Sequence, residues 1–295
     1  MAGKLGNRKV VLITGAKQGI GYQTSLQLAH RNWKVIMADN QDLSDAKERI
    51  VKATLNRTVS ANTLDLSSER SIKKFVTWMN SNEEHLDVLI NNAGLFTTGN
   101  GADNLEKLLY VNHLGPFLLT YLLTDLLKKC SPSRIIFLSS SGAFFNDLNP
   151  DLNPNAPYFG LTKESLKCFG VLKTYYNTKA LNMLISKEFS RRLQQCNVTS
   201  NCLHPGMTNT SFLVRNCDMS YLAKVIFQNL VNFTTQDVSE AAKNVVFMTT
   251  SPTLTHVSGK YFANYQERRQ PRILDDDEFS RRIWQQCELF FALSN

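Results

Sequence analysis

Short apolar runs alternate with longer amphipathic stretches along most of the chain. The apolar runs read KVVLITG, KVIMAD, SANTLDL, LDVLINNAG, SRIIFLSS and NVTSNCLHPG. Helix-length amphipathic segments lie between them, such as GYQTSLQLAHRN, SSERSIKKFVTWMNS and NLEKLLYVNHLGPFLLTYLLTDLLKK. Continuous apolar strands separated by helices are typical of a parallel sheet that is covered on both faces. The pattern predicts a doubly wound α/β fold, because right-handed crossovers place helices on both faces of such a sheet.

One segment interrupts this alternation. Residues 141–174 follow the fifth apolar run and are rich in Asn, Asp and Pro. This composition predicts an ordered loop insertion rather than a second domain. We therefore expect a single domain over residues 1–295, with a nucleotide-binding part at about 8–140 and a catalytic and substrate part at about 140–295.

Composition narrows the class of protein. The 295 residues, 43% of them hydrophobic, suffice to bury a full core. The six cysteines form no CxxC pair and the five histidines are scattered, so we predict no metal site. We find neither a signal peptide at the start nor a run of 18 apolar residues, and expect a cytoplasmic protein with free thiols and no transmembrane segment.

The formal net charge of +8 raises the question of a nucleic-acid partner. Lysines and arginines are spread along the chain, and the densest clusters, SRRL and SRRIW, lie in amphipathic segments beside acidic residues. We predict no nucleic-acid partner. A basic surface also suits an anionic cofactor or membrane lipid, which leaves peripheral membrane contact open.

A glycine-rich turn follows the first apolar run. The stretch TGAKQGIG contains Gly15, Gly19 and Gly21, with the spacing G-x3-G-x-G. Between a strand and a helix, glycines let the backbone turn tightly and approach a pyrophosphate, which the helix N-terminus attracts. Glycines after strands also serve as plain turns, so this stretch alone leaves both interpretations open.

Four motifs in order resemble the short-chain dehydrogenase/reductase family over nearly the whole chain. They are the glycine turn, NNAG at 91–94, VNHLGPFLLT at 111–120, and SRIIFLSSS followed later by YYNTK. The wording of PSRIIFLSS, SKEFSRRL, HPGMTNT, VSGKYF and RRIWQQCELF is similar to the retinol dehydrogenase branch. The resemblance implies a Rossmann-type, mostly parallel seven-stranded sheet and an NAD(P)-dependent enzyme acting on CH–OH donors. We also expect a homo-oligomer.

The family's catalytic pair has the spacing Y-x-x-x-K, which Tyr175 and Lys179 supply. Tyr158 and Lys163 are five residues apart and out of register. Residues four apart on a helix project from one face at about 6 Å, so Tyr175 and Lys179 are predicted to lie together. Tyr176 points away and is expected to belong to the core or a pocket wall.

The chemistry of an alcohol dehydrogenase explains these residue types. A phenol with a pKa near 10 is a poor base at neutral pH, and the Lys179 ammonium favours its phenolate. By the resemblance, Lys179 also bonds the nicotinamide ribose, and Ser140 bonds the substrate oxygen, with Ser139 and Ser141 as alternative registers. Asn112, in VNHLG, is expected to hold a water that relays protons to Lys179.

The choice of cofactor depends on the end of the second strand. Asp39 lies 18 residues after Gly21, where an acid typically binds the adenosine ribose 2′-OH and repels a 2′-phosphate. NAD is therefore favoured. Asn40 stands where the retinol dehydrogenase branch often has arginine, but Lys17 offers a cation to a 2′-phosphate, so NADP is not excluded.

The resemblance assigns cofactor contacts at the carboxyl ends of the strands and on the catalytic helix. They are Gly15, Lys17, Gln18, Gly19, Ile20, Gly21, Asp39, Asp65, Leu66, Asn92, Ala93, Gly94, Val111, Tyr175, Lys179, Pro205, Gly206, Thr208 and Thr210.

The predicted substrate is a small lipophilic alcohol, ketone or aldehyde. Aromatic residues of the insertion, together with residues 211–233, are expected to form an apolar mouth. The aromatic residues are Phe144, Phe145, Tyr158, Phe159 and Phe169. The alternative is that they are core residues. Retinoid, steroid and isoprenoid substrates remain open, as does a nucleotide-binding sensor or regulator without turnover.

Overall fold

The computed structural model describes residues 8–96, 102–150, 170–206 and 237–293. Within them, one sheet of eight strands has the order β3-β2-β1-β4-β5-β6-β7-β8. The strands are β1 (Val10–Thr14), β2 (Lys34–Asp39), β3 (Val59–Thr63), β4 (Val88–Asn91), β5 (Ser133–Leu138), β6 (Val198–His204), β7 (Tyr261–Ala263) and β8 (Gln266–Arg268). All neighbouring strands pair in parallel except β7 and β8. The six apolar runs correspond to β1–β6, which confirms the predicted doubly wound fold.

The prediction of seven strands was one too few. The eighth strand, β8, forms a hairpin with β7 through Asn264 and Tyr265, which have φ values of 50° and 63°. Two consecutive residues in the left-handed region are typical of a tight β-hairpin turn. The three residues of β8 are polar and exposed, so no apolar run marks this strand in the sequence.

Helices cover both faces of the sheet. They are α1 (Gly19–His30), α2 (Ser44–Thr54), α3 (Glu69–Asn82), α4 (Ala102–Leu109), α5 (Gly115–Leu122), α6 (Thr124–Lys129), α7 (Gly170–Arg192), α8 (Val238–Thr250) and α9 (Asp277–Phe290). One apolar cluster joins α1, α2 and α8 to strand residues such as Ile136. A second cluster joins α3, α5, α7 and α9 to the alternate residues Ile135 and Phe137. Because successive strand residues face opposite sides, a continuous apolar strand supplies both cores.

The amphipathic segment 104–129 is not one continuous helix. A π-helical turn, Tyr110–Leu114, separates α4 from α5, and α6 follows Leu123. Pro116 has no amide hydrogen to donate, and the widened turn instead closes with Gly115 N–H donating to the Tyr110 carbonyl. Gly115 also packs closely on the chain after β3, since a Cβ there would lie 2.3 Å from the Leu66 carbonyl oxygen.

The insertion begins with a 3₁₀ turn at Ser141–Phe145. The composition predicts that the loop insertion extends to residue 174. Helix α7 already starts at Gly170, so residues 170–174 are helical and this part of the prediction was wrong. Residues 151–169 and 207–236 lie outside the described parts of the chain. Among the helices that the structure describes, none combines the length and the apolar character needed to cross a membrane.

Candidate active site

The predicted site residues meet at the carboxyl edge of the sheet. Strand β1 leads to the glycine turn, β4 to Asn92 and β5 to Ser140, while α7 brings Tyr175 and Lys179. Strand order reverses between β1 and β4, since β2 and β3 lie on one side of β1 and β4–β8 on the other. Such a reversal opens a crevice beyond the carboxyl ends of the strands, where ligands of open α/β sheets bind.

The glycine turn needs its glycines for backbone reasons. Gly15 and Gly19 have φ values of 65° and 61°, in the left-handed region that favours glycine. A Cβ on Gly21 would lie 2.2 Å from the Gly15 carbonyl oxygen, and a Cβ on Gly15 would lie 2.8 Å from the Ala93 Cα. Gln18, the N-cap of α1, makes no side-chain hydrogen bond to the first helical turn. The first amides of α1 are thereby left to an anion.

Thr14 fixes the glycine turn to the loop after β4, a role that the sequence analysis missed. Its Oγ1 accepts from the amides of Asn92 at 3.1 Å and Ala93 at 3.0 Å. The Asn92 Nδ2 donates to the carbonyls of Thr14 at 2.7 Å and Gly15 at 3.1 Å. The only sequence signal for Thr14 is its place directly before the glycine turn.

Asp39 is held by backbone amides at the end of β2. Its Oδ2 accepts from the Lys17 amide and its Oδ1 from the Gln41 amide, both at 3.1 Å. Hydrogen bonds from Ser44 and, more weakly, the positive charge of Lys17 lower the pKa of Asp42. The Lys17 backbone therefore lies at the end of β2, where the sequence analysis expects the adenosine ribose.

Asp65 and Leu66 follow β3 and hold their loop in place. The Asp65 Oδ1 accepts from the Ser67 amide at 2.9 Å and from the Ser67 hydroxyl at 2.7 Å. The Asp65 amide donates to the Ser71 Oγ at 3.0 Å, and Leu66 is buried. The Asp65 carboxylate thus shapes the loop in addition to its predicted adenine contact.

Tyr175 and Lys179 lie on one face of α7, as their spacing predicts. The Lys179 Nζ is 5.4 Å from the centroid of the Tyr175 ring and donates to the Leu138 carbonyl at 3.1 Å. Lys179 is only 4% exposed, and burial lowers its pKa to about 8. Tyr175 packs edge-on against Phe96, with ring centroids 5.6 Å apart. Burial raises the pKa of Tyr175, which outweighs the lowering expected from the neighbouring lysine.

Tyr176 packs against the turn that follows Ser140, the predicted partner of the substrate oxygen. A Cβ on Gly142 would lie 2.2 Å from two atoms of the Tyr176 ring, so only glycine fits there without movement of the turn or the ring. The Phe145 ring lies 6.0 Å away, centroid to centroid. Tyr176 is half-buried, in keeping with its predicted place in a pocket wall.

The three consecutive serines after β5 have different surroundings. Ser139 is buried, and its Oγ donates to the Lys179 carbonyl at 2.9 Å. Ser141 is exposed. The half-buried Ser140 accepts from the Gly142 amide at 3.1 Å, which orients its hydroxyl. The Ser139 hydroxyl is thus bonded to the backbone of α7, and Ser140 remains the predicted partner of the substrate oxygen.

Asn112 is fully buried, and its side chain braces the loop after β4. Its Oδ1 accepts from the Leu95 amide at 2.6 Å. Its Nδ2 donates to the Leu95 carbonyl at 2.8 Å and to the Thr178 Oγ1 at 3.3 Å. A Cβ on Gly94 would come within 3.5 Å of the Lys179 Nζ. The amide group of Asn112 is thus engaged by the protein, and its predicted role in a water relay stays a prediction.

The remaining predicted contacts frame the site or lie outside the description. Ile20 packs beside the core in α1, Val111 stands in the π-helical turn, and Pro205 with Gly206 follows β6. Gly206 has a φ of 107°, which favours glycine. Residues outside the described ranges are Thr208, Thr210, Tyr158, Phe159, Lys163, Phe169 and 211–233.

One group of possible metal ligands lies at the opposite edge of the sheet. Within the described residues, one ligand atom each of His85, Asp87 and Cys130 lies within 4.8 Å of the others, although their spacing in sequence indicates no site. The Cys130 Sγ donates to one carboxylate oxygen of Asp87 at 3.2 Å. The His85 Nε2 is 3.3 Å from the other oxygen, which also accepts from the Val10 amide at 2.7 Å. These contacts explain the cluster without an ion.

Comparisons with known proteins agree with the fold and with the family resemblance seen in the sequence. The family model described as short chain dehydrogenase matches residues 9–148. The chain is 36% identical to human retinol dehydrogenase 13 over 282 residues, which is 94% of this chain and 82% of the relative. It is 35% identical to human retinol dehydrogenase 14 over 305 residues, covering 97% and 87%. A short-chain dehydrogenase from Escherichia coli CFT073, crystallised with NADPH, superimposes with a TM-score of 0.67 at 19% identity, covering 87% of this chain and 96% of that one.

A doubly wound sheet with a glycine turn and a Tyr–Lys pair defines a dehydrogenase of the dinucleotide-binding kind. The chain belongs to the short-chain dehydrogenase/reductase family, in its retinol dehydrogenase-like branch. It is accordingly an NAD(P)-dependent oxidoreductase that acts on alcohol donors.

Proposed function

We propose that the protein transfers a hydride between a nicotinamide cofactor and a lipophilic alcohol, with Tyr175 exchanging the alcohol proton. The placement of Tyr175 and Lys179 on one face of α7, with the Lys179 Nζ 5.4 Å from the phenol ring, carries this proposal. The α7 helix packs on the turn that holds Ser140, so the three polar groups belong to one unit. A tyrosine with a lysine beside it, on a helix that packs against the turn after a serine, suits proton exchange with an alcohol oxygen.

The chain's own residues divide the work. Ser140 holds the substrate oxygen by a hydrogen bond, Tyr175 gives or takes the proton, and Lys179 favours the phenolate. A bound nicotinamide ring accepts or supplies the hydride. Because burial raises the pKa of Tyr175, the phenol would keep its proton until the positive charge of an oxidised nicotinamide adds to that of Lys179. This property protects the buried site from carrying an unpaired phenolate.

The shape of the glycine turn suits a pyrophosphate. A Cβ at Gly15 or Gly21 would clash with backbone atoms of Ala93 or Gly15, so glycine lets the turn pack tightly on itself and on the loop after β4, beside the first amides of α1. The E. coli dehydrogenase of the same fold was crystallised with NADPH, which supports a nicotinamide nucleotide but not the choice between NAD and NADP.

We further propose that NAD is preferred over NADP. The Asp39 carboxylate is fixed by two backbone amides at the end of β2, and Asn40 beside it is exposed and uncharged. A fixed carboxylate accepts from a ribose 2′-OH and repels a 2′-phosphate. Lys17 opposes this preference, since its charge reaches Asp42 in the same region.

The lipophilic substrate class is supported by apolar rings beside the serine and by the relatives. Phe144 and Phe145, in the turn directly after Ser140, are 45% and 68% exposed. Both are therefore available to an apolar ligand, in contrast to the core aromatic residues. The matched human relatives are named as retinol dehydrogenases. Retinoid, steroid and isoprenoid alcohols, with the corresponding aldehydes and ketones, form the proposed range.

The proposal is tested by cofactor reduction with defined alcohols. Retinol, a hydroxysteroid and a long isoprenoid alcohol are each offered with NAD and with NADP, and absorbance of the reduced cofactor is followed. Tyr175→Phe should lower kcat by about a thousandfold or more, while nucleotide affinity changes by no more than about threefold. Tyr158→Phe is the matched control and should keep its activity.

Two outcomes contradict the proposal. An active Tyr175→Phe variant together with an inactive Tyr158→Phe variant would show that Tyr158, and not Tyr175, exchanges the proton. Tight nucleotide binding without turnover of any alcohol or of the corresponding aldehydes and ketones would indicate a sensor or regulator on the same fold.

A further inference from the structure

A chain of buried polar side chains connects helix α9 to the backbone of Asn112. The Cys287 Sγ lies 3.5 Å from the His113 Nε2, and the His113 Nδ1 lies 3.3 Å from the Asn182 Oδ1. The Asn182 Nδ2 donates to the Asn112 carbonyl at 2.8 Å. All four residues are buried, with exposures of 0–3%. The four come from α9, the π-helical turn and α7, so these contacts tie three elements together.

The hydrogen bonds between these buried side chains all run in the same donor-to-acceptor direction, from Cys287 to Asn112. Because the Asn182 Nδ2 donates to the Asn112 carbonyl, the Asn182 oxygen faces His113 and acts as an acceptor there. His113 must therefore carry its proton on Nδ1, which leaves Nε2 as the acceptor for the Cys287 S–H. Burial lowers the pKa of His113 to about 4, so the ring stays neutral near neutral pH. Of the two neutral tautomers, only this one satisfies both Asn182 and Cys287.

Asn112, at the far end of this row of buried side chains, is the residue that braces the loop after β4. The Asn112 carbonyl is fixed by Asn182, while the Asn112 side chain holds the amide and the carbonyl of Leu95. The same side chain reaches Thr178, the neighbour of Lys179 on α7. The orientation of one residue therefore determines both the loop after β4 and its register against the catalytic helix.

We propose that His113 and Asn182 are positioning residues of the active site, which lock the Asn112 backbone so that its side chain holds the 92–96 loop against α7. Cys287 anchors this lock to α9. That His113 and Asn182 hold Asn112 in place is independent of the reaction. The effect of this placement on turnover rests on the proposed function. Neither residue touches the reacting atoms.

Hydrogen–deuterium exchange tests the lock without any need for turnover. The Leu95 amide donates to the Asn112 Oδ1, so its protection reports whether that side chain is held. Asn182→Leu and His113→Phe should each speed exchange at Leu95 by about tenfold, the effect of losing roughly one hydrogen bond.

Asn56→Ala is the matched control for the loss of a buried asparagine. Asn56 is buried, and its Nδ2 donates to the carbonyls of Ala29 and Trp33, away from the site. This variant should lower thermal stability and leave exchange at Leu95 as in the wild type. Unchanged exchange at Leu95 in folded Asn182→Leu and His113→Phe proteins would overturn the proposal.

A gentler pair of variants decides the matter if the larger changes prevent folding. Cys287→Ser keeps a donor for the His113 Nε2 and should preserve protection at Leu95, whereas Cys287→Ala removes the donor and should weaken it. Nitrogen NMR of histidine-labelled protein should also show a neutral Nδ1–H ring that is absent from the His113→Phe spectrum. Equal exchange in the two Cys287 variants, or an Nε2–H ring at His113, would contradict the lock.

Turnover separates this inference from the proposed function. With retinol as probe, Asn182→Leu should lower kcat about tenfold and change KM and nucleotide affinity by no more than about threefold, since misplacement of catalytic groups acts on the reaction step. A wild-type protein without turnover would refute the proposed function, and exchange at Leu95 would still test the lock. Normal kcat in a variant with lost protection would show that the 92–96 loop does not position the catalytic groups.

Discussion

Replacing Lys179 should stabilise the protein while abolishing its activity. Lys179 is 4% exposed, and burial lowers its pKa from the ordinary 10.5 to about 8. Near neutral pH the lysine is nevertheless largely protonated, so the native state carries a charge that is poorly solvated. Lys179→Met removes this charge and keeps an unbranched apolar side chain of similar length. We expect the variant to be inactive and to have a higher free energy of unfolding at neutral pH.

The magnitude follows from linkage between proton binding and unfolding. A fall of the pKa to about 8 corresponds to about 3 kcal/mol of stability lost to the charged form at neutral pH. The variant also loses the hydrogen bond from Nζ to the Leu138 carbonyl, about 1–2 kcal/mol. Lys179→Met should therefore be more stable than the wild type by about 1–2 kcal/mol near neutral pH.

The pH dependence has a definite sign. Above 10.5 the lysine is neutral in both states and its charge carries no penalty. As the pH falls from 10.5, the unfolded chain binds the proton first, so the wild type loses stability relative to the variant until the pH reaches about 8. The stability advantage of Lys179→Met should thus be constant below about pH 8 and shrink as the pH rises toward 10.5.

Urea unfolding at about pH 7 and about pH 10 measures this difference, and groups common to both proteins largely cancel. Lys128→Met is the control, because Lys128 is exposed and pairs with Asp125 at the surface. It should change stability by less than about 0.5 kcal/mol at either pH. A Lys179→Met protein that is less stable than the wild type by the same amount at both pH values would refute the reasoning.

Two further predictions concern the serines and the cofactor. Ser140→Ala should lower kcat by about a hundredfold or more with little loss of stability. Ser139→Ala should instead cost about 1 kcal/mol of unfolding free energy, because it removes the buried hydrogen bond to the Lys179 carbonyl. Urea unfolding and kinetics compare the two variants, and the reverse result would show that Ser139 is the serine that bonds the substrate. NAD should be preferred by roughly 1–3 kcal/mol in kcat/KM. Asp39→Ser should erode this preference and the added Asn40→Arg should reverse it, whereas a wild type that prefers NADP would show that Lys17 governs the site.

Sequence patterns predicted the parts of the fold that bury apolar surface in long elements. Strands β1, β2, β4 and β5 were recognisable because a parallel strand buried on both faces is largely apolar. Strand β8 was missed since its three residues are exposed and polar. The π-helical turn was also missed, because apolar residues continue through it and only Pro116 hints at a break.

The site was predictable where it depends on local spacing. Tyr175 and Lys179 share a face because four residues make about one helical turn. The bracing of Asn112 joins residues that are 17, 66 and 70 positions apart, and no local pattern encodes such contacts. Sequence reasoning therefore did not predict that the Asn112 amide braces the loop after β4, and the water relay that it assigned to Asn112 stays a prediction.

Burial shifts the two central groups in opposite directions, and this determines what a pH profile of the enzyme reports. It raises the pKa of Tyr175 and lowers that of Lys179 to about 8, so both groups are pushed toward their neutral forms. The Lys179 Nζ lies 5.4 Å from the centroid of the Tyr175 ring in a poorly solvated site, and we therefore expect ionisation of one group to alter the other. An apparent pKa near 8 in kcat/KM would belong to the pair and would not identify Tyr175 as the ionising group. Titration of tyrosine absorbance in the wild type, Tyr175→Phe and Lys179→Met needs no turnover and would separate the two groups, which makes Lys179→Met informative for the mechanism as well as for stability.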